Sequence, residues 1–139
     1  MKIRTGNIFA LIAGATCAAS LALAADAKKV DLSKLPPASD KKGVTYEKDI
    51  KPIFEKSCFK CHGPEKQKSK LRLDSREAAL KGGENGPDIV PGKSAESPLL
   101  HNAARIGDPD DAMPPEGKGD PLPKDQVALI RAWIDQGAK

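Results

Sequence analysis

The chain has 139 residues, of which 30% are charged and only 4% aromatic, and its formal net charge is +4. That length and composition suit one domain with a modest core. The basic balance is too mild to call for a nucleic-acid ligand.

Lys2 and Arg4 form a short positive leader, followed by an apolar run from Ile8 to Leu23 and an Ala22-Leu23-Ala24 cleavage pattern. This predicts a Sec signal peptide over residues 1–24, and therefore export to the periplasm. The apolar run is near the lower limit for a bilayer span, so membrane attachment is expected only if the signal stays uncleaved. Cys17 makes a poor lipidation site, because Thr16 and Gly14 stand where a small residue and a leucine are wanted. Cleavage after Ala24 removes Lys2, Arg4 and no acidic residue, which halves the formal charge. It also removes Cys17, leaving Cys58 and Cys61 with no disulfide framework elsewhere.

Residues 25–43 are rich in Lys, Asp, Pro and Ser and read as a disordered tether. The folded domain is expected over 44–139, with no internal repeat. Ile50, Ile53 and Phe54 share one face of a helix over Tyr46 to Ser57, with Thr45 as its N-cap and Pro52 as a kink or a late start. Asp74 and Glu77 suggest a capping box for a short helix ending at Gly82-Gly83. Ser97 and Pro98 open another short helix, to about Arg105. The last helix, Lys124 to Gln136, carries Val127, Ile130 and Ile134 on one stripe, with Gly137 behind it. No segment alternates like a strand, so the expected class is all-α, with three to five short helices.

Cys58-Phe59-Lys60-Cys61-His62 reads C-x-x-C-H, the attachment signature of c-type haem. Two thiols three positions apart can each bond one vinyl-derived carbon of a porphyrin, and the adjacent imidazole is then held under the iron. Cys58 and Cys61 are thus the expected thioethers of one covalent haem c, and His62 its proximal ligand. Zinc spacings normally separate ligand pairs by several residues, and a thioredoxin-like dithiol would need a βαβ context, which is missing.

Past the leader the chain has one further methionine, Met113, and one further histidine, His101. Met113 sits before Pro114-Pro115 in a polar, stiffened loop, which suits a weak thioether ligand that gains from being held in place. Met113 is the expected distal ligand, and His101 is expected to be an ordinary helix histidine, with bis-His ligation as the rival. Arg72, between Leu71 and Leu73, would need an anion if buried, and a haem propionate is the expected one. Lys56, Lys60, Lys66, Lys68, Lys70 and Arg72 form a candidate positive collar. Gly92-Lys93-Ser94 lacks the glycine and the strand of a phosphate loop and reads as a turn.

Taken in order, Tyr46 to Phe54, Cys58 to Pro64, Leu71-Arg72-Leu73-Asp74, Gly82-Gly83, Ile89-Val90-Pro91-Gly92, Ser97-Pro98-Leu99, Met113-Pro114-Pro115 and Trp133 to Ala138 resemble the planctomycete-type cytochrome c domain. The resemblance runs from Val44 to the last residue. It implies a cytochrome c-like fold with first and last helices packed together, haem c on Cys58 and Cys61, His62 proximal and Met113 distal. It also implies that proline at Pro52 is tolerated. Pro123 departs from the family, whose members carry a capping residue before the last helix.

The reading that follows is a periplasmic monohaem cytochrome that carries single electrons between a donor and an acceptor protein and is not an enzyme. A five-coordinate haem sensor or peroxidase-like protein, and a haem-stapled interaction module, are the alternatives.

Overall fold

The computed structural model describes residues 30–139. The signal peptide expected over 1–24, and the first five residues of the arm behind it, lie outside the described residues.

Five short α-helices carry the fold: α1 Lys51–Ser57, α2 Phe59–His62, α3 Arg76–Lys81, α4 Pro98–Ala104 and α5 Lys124–Asp135. Single 3-10 turns interrupt the loops, and the described residues contain two isolated bridges and no strand. The class is all-α, as the missing alternation predicted.

Pro52 is accommodated by widening the turn ahead of it. Tyr46–Ile50 forms a π-type turn, and the Lys51 N–H closes it onto the Tyr46 carbonyl. Pro52 then falls in the first turn of α1, where a missing N–H and a fixed φ cost little.

Three caps differ from expectation. The Thr45 side chain makes no cap bond; instead the Asp49 carboxylate accepts the Thr45 N–H at 2.8 Å. Ser75, not Asp74, caps α3 by accepting from Ala78 N at 3.2 Å, while Asp74 pairs with Arg72. Ser97 stands at the N-cap of α4, but its hydroxyl accepts from Val90 N and donates to the Lys93 carbonyl, tying the loop before the helix. Helix α5 starts at Lys124 directly after Pro123. Gly82 and Gly137 follow their helices with positive φ, as expected of helix-terminating glycines.

Tyr46, Phe54 and Trp133 centre the core. Their ring centroids lie 5.9 to 6.4 Å apart, with Phe54 and Trp133 edge to face. This trio joins the first helical segment to the last helix, because Trp133 rides on α5 beside buried Val127, Ile130 and Ile134. Such aromatic pairs contribute about 0.5–1.5 kcal/mol each beyond their burial. The Tyr46 hydroxyl donates to the Leu73 carbonyl, which brings the strand-like stretch after the C-x-x-C-H motif onto the same core.

The expectation of a disordered tether does not hold for residues 30–43. Leu35 is 8% exposed and belongs to the core. The Asp31 N–H donates to the Ile106 carbonyl, and Ser39 N–H to the Ala128 carbonyl. Arg131 donates to the Pro36 carbonyl and Gln136 to the Lys41 carbonyl. The arm is polar in composition, yet its backbone is held by side chains of α5 and of the residue that follows it, an interaction that composition does not register.

Candidate functional site

Cys58 interrupts the helix between α1 and α2. Its N–H donates to the Phe54 carbonyl at 2.7 Å, and its own carbonyl accepts from Cys61 N at 3.0 Å and His62 N at 2.9 Å. One tight turn thus carries both thiols and the imidazole. The chain leaves it through the His62 carbonyl, which accepts from Leu73 N at 2.7 Å.

That turn faces a cavity of about 430 Å³, lined by Cys58, Cys61, His62, Ala103, Met113 and Leu122. A volume of several hundred Å³ is in the range that holds an organic cofactor. A second cavity of about 160 Å³ shares Cys58, His62, Ala103, Met113 and Leu122, and adds an apolar wall that includes Phe54, Leu71, Leu73 and Leu99. The five shared residues make the two spaces neighbouring lobes of one cleft.

Met113 reaches the cleft from the far side of the sequence. Its N–H donates to the Asn102 carbonyl at 3.0 Å, and the next residue's carbonyl accepts from Arg105. The C-terminal end of α4 therefore holds the Met113 loop on both sides.

Several observations bear on whether haem fits here. His62 Nδ1 is buried and has no hydrogen-bond partner among the described residues. A buried polar atom left unpaired costs about 1–3 kcal/mol, so an imidazole here gains from a further partner. Burial, and then the neighbouring Cys61, push the Cys58 thiol up to about 12, so at neutral pH it is an uncharged group in apolar surroundings. Cys58 and Cys61 are not paired to each other. Two thiols, an imidazole and a thioether on a cleft with an apolar wall are the donor set that a covalent haem uses. Among the described residues no three His, Cys, Asp or Glu are grouped to hold a metal ion by themselves.

Other candidates lie elsewhere. His101 lines neither lobe; its Nε2 is 3.1 Å from the Ala95 carbonyl, and burial lowers its pKa. The structure thus does not bring His101 to His62. Arg72 lines neither lobe as well. Its guanidinium makes a two-pronged pair with Asp74, Nε to Oδ1 at 2.9 Å and Nη2 to Oδ2 at 2.6 Å, so a carboxylate two residues away already supplies an anion for it. The Gly92-Lys93-Ser94 turn docks on α5: Gly92 N–H donates to the Ile134 carbonyl and Ser94 N–H to the Asp135 carboxylate. Of the proposed collar, Lys56 and Lys60 line the larger lobe, and Lys66, Lys68 and Lys70 do not.

Leu122, Ala103, Asn102, Arg105 and Lys118 are site or supporting residues that no motif marked. Only Leu122, an apolar residue inside the proline-rich run before α5, offered a signal.

Residues 58–117 match the family model described as Planctomycete cytochrome C. This is the family that the motifs resemble, over a narrower span than Val44 to Lys139. Neither the curated proteins nor the solved structures contain a match.

Proposed function

We propose that this chain, whose residues 58–117 carry a planctomycete cytochrome c domain, is a periplasmic electron carrier with a single haem c. In this reading Cys58 and Cys61 hold the haem by thioether bonds, and His62 and Met113 are its axial ligands. When bound, haem c supplies a one-electron redox couple, which a methionine ligand opposite histidine moves to higher potential.

The observation that carries the reading is the meeting of Met113 with Cys58, Cys61 and His62 on one cavity. The residues of the chain then have separable tasks. The turn at Cys58 fixes the imidazole beside both thiols. Phe54, Leu71, Leu73 and Leu99 give the smaller lobe an apolar wall. Asn102 and Arg105 hold the Met113 loop. With His62 and Met113 both holding the iron, no coordination position would be left for substrate, so the reading is of a carrier and not an enzyme. The predicted signal over 1–24 supports export, and among the described residues no helix is long and apolar enough to cross a membrane. Donor and acceptor are then separate redox proteins.

The test is the absorption spectrum of the oxidised protein matured with haem. A weak thioether-to-iron band at the red end, lost in Met113→Ala, is the expected result. A high-spin spectrum unchanged by Met113→Ala would overturn it in favour of a five-coordinate sensor or peroxidase-like protein.

A further inference from the structure

The smaller lobe carries a carboxylate that no lysine or arginine answers. Asp88 lines it together with His62 and Met113. It also lines an outer space of about 540 Å³, which shares Asn85, Asn102 and Asp111 with the lobe. Asp88 therefore stands on the wall between the cleft and the outside. Neither lining contains a lysine or an arginine. The ionisable groups that face Asp88 are Cys58, His62, Glu84 and Asp111 in the lobe, and His101, Asp108 and Asp111 in the outer space. Glu84 and Asp111 are exposed, whereas Asp88 is half-buried.

The backbone holds Asp88 from two sides. Its Oδ2 accepts the Gly83 N–H at 2.9 Å, and its carbonyl accepts the Leu99 N–H at 2.9 Å. No hydrogen bond joins it to His62, whose Nδ1 has no partner among the described residues. The two groups act on each other across space. Burial raises the Asp88 pKa, and the Gly83 N–H and then the charge of His62 work against that rise. The carboxylate is thus felt at the imidazole that would hold the iron.

We infer that Asp88 tunes the haem: its carboxylate, fixed on the wall of the lobe with no lysine or arginine to offset it, favours the oxidised iron over the reduced one. The inference rests on the electron-carrier reading and deepens it. Reduction adds one negative charge to the cofactor, and a partly desolvated carboxylate opposes that charge. Asp88 therefore works against the upward pull of the Met113 thioether on the potential. By reciprocity the electron acts back on Asp88. When a donor protein passes one electron to the haem, the carboxylate holds a proton more readily and takes it from water in the outer space. Oxidation by the acceptor releases the electron and the proton together.

The test is a redox titration of the holo-protein and its Asp88→Asn and Glu84→Gln variants. Each variant removes one negative charge from the same lobe. Asparagine keeps an oxygen that can accept the Gly83 N–H, so the turn is preserved. A charge at an effective dielectric of about 20 shifts a one-electron equilibrium by roughly tenfold. We expect Asp88→Asn to favour the reduced haem by about tenfold at neutral pH, a rise of about 59 mV. The rise should persist at high salt, because partly buried charges are screened less. Glu84→Gln, at the exposed mouth, should shift far less. Equal shifts in the two variants overturn the inference, because the effect is then one of net charge.

The pH profile separates charge from structure. The wild-type potential should fall as the pH rises through the titration of Asp88. Asp88→Asn should lack that step and His101→Gln should keep it. A step that survives in Asp88→Asn and vanishes in His101→Gln overturns the assignment. A haem that neither dithionite reduces nor ferricyanide reoxidises overturns the carrier and this inference with it. A cycling haem with the wild-type potential in Asp88→Asn overturns the inference alone.

Discussion

Arg105 donates from its guanidinium to the carbonyl of Pro114, the residue directly after Met113. Arg105 ends α4 in the left-handed conformation, φ 55° and ψ 42°, and this turns its side chain back across the Met113 loop. The Asn102 carbonyl on the same helix end takes the Met113 N–H. The loop is thus pinned through two successive residues, and the thioether between them is confined to the cleft.

Arg105→Ala should therefore act on the iron at a distance. Losing a hydrogen bond from a charged donor costs about 1.5–3 kcal/mol when buried, and toward the lower end here because Arg105 is exposed. The expected result is a weaker red thioether band that melts at a lower temperature than the protein as a whole, with partial recovery in Arg105→Lys. A band that melts together with the fold in wild type and Arg105→Ala alike would show that the pin does not matter.

Arg72→Leu should leave the haem spectrum and potential unchanged. Its guanidinium is spent on Asp74 and lines neither lobe. The pair is substantially exposed, at 42% for the arginine side chain and 16% for the aspartate, so its loss is worth about 0–1 kcal/mol. A shift in the haem potential of Arg72→Leu, measured by redox titration, would restore the propionate contact expected from its position between Leu71 and Leu73.

Asp49 gives the fold an acid-sensitive joint. The Lys41 ammonium first, and then the Thr45 N–H, hold its carboxyl below the usual carboxylate range. A carboxyl lowered in the folded state stabilises above its unfolded pKa, and that stability is lost as the pH falls through the folded value. Asp49→Asn should melt lower than wild type at pH 7 and lose less on acidification, so that the two melting curves converge as the pH falls below the usual carboxylate range. Parallel curves across that window would mean that Asp49 contributes no charge-dependent stability. The joint matters because the Thr45 N–H begins the segment that leads into Cys58.

The motif residues were legible because their chemistry is local. Cys58, Cys61 and His62 sit on one turn, so their spacing already implies that they meet. Met113 was legible by scarcity, as the only methionine beyond the leader. The helices at α4 and α5 followed from Pro98 and from the apolar stripe of Val127, Ile130 and Ile134. What could not be read was long-range. That Lys118 lines one cavity with Lys60, and Leu122 with Met113, depends on how a proline-rich loop folds back, and no periodicity reports that. The arm over residues 30–43 was misread for the same reason: its order comes from Arg131 and Gln136, far along the chain, bonding to bare carbonyls. Asp74 and Arg72 were each assigned a separate role, because the sequence does not show that they satisfy one another.

Gly82 and Gly86 separate two costs that usually arrive together. Both have positive φ, at 78° and 110°, so an alanine is strained at either. They differ in space. A Cβ at Gly86 meets nothing within 4 Å, whereas one at Gly82 would fall against the backbone of Gly86 and Pro87, with 2.7 Å to the Pro87 Cα. The turn they close feeds Gly83, Glu84, Asn85 and Asp88 into the lining of the smaller lobe, and Gly83 N–H is shared between the Gly86 carbonyl and the Asp88 carboxylate. Gly86→Ala should therefore cost about 1–2 kcal/mol, the price of left-handed backbone alone. Gly82→Ala should cost a further 1–3 kcal/mol or so, because backbone must move to make room. It should also disturb the haem spectrum, since the segment that moves lines the cleft. Urea unfolding of the two holo-variants measures the difference directly, and equal stabilities would mean that the turn relaxes without reaching the site.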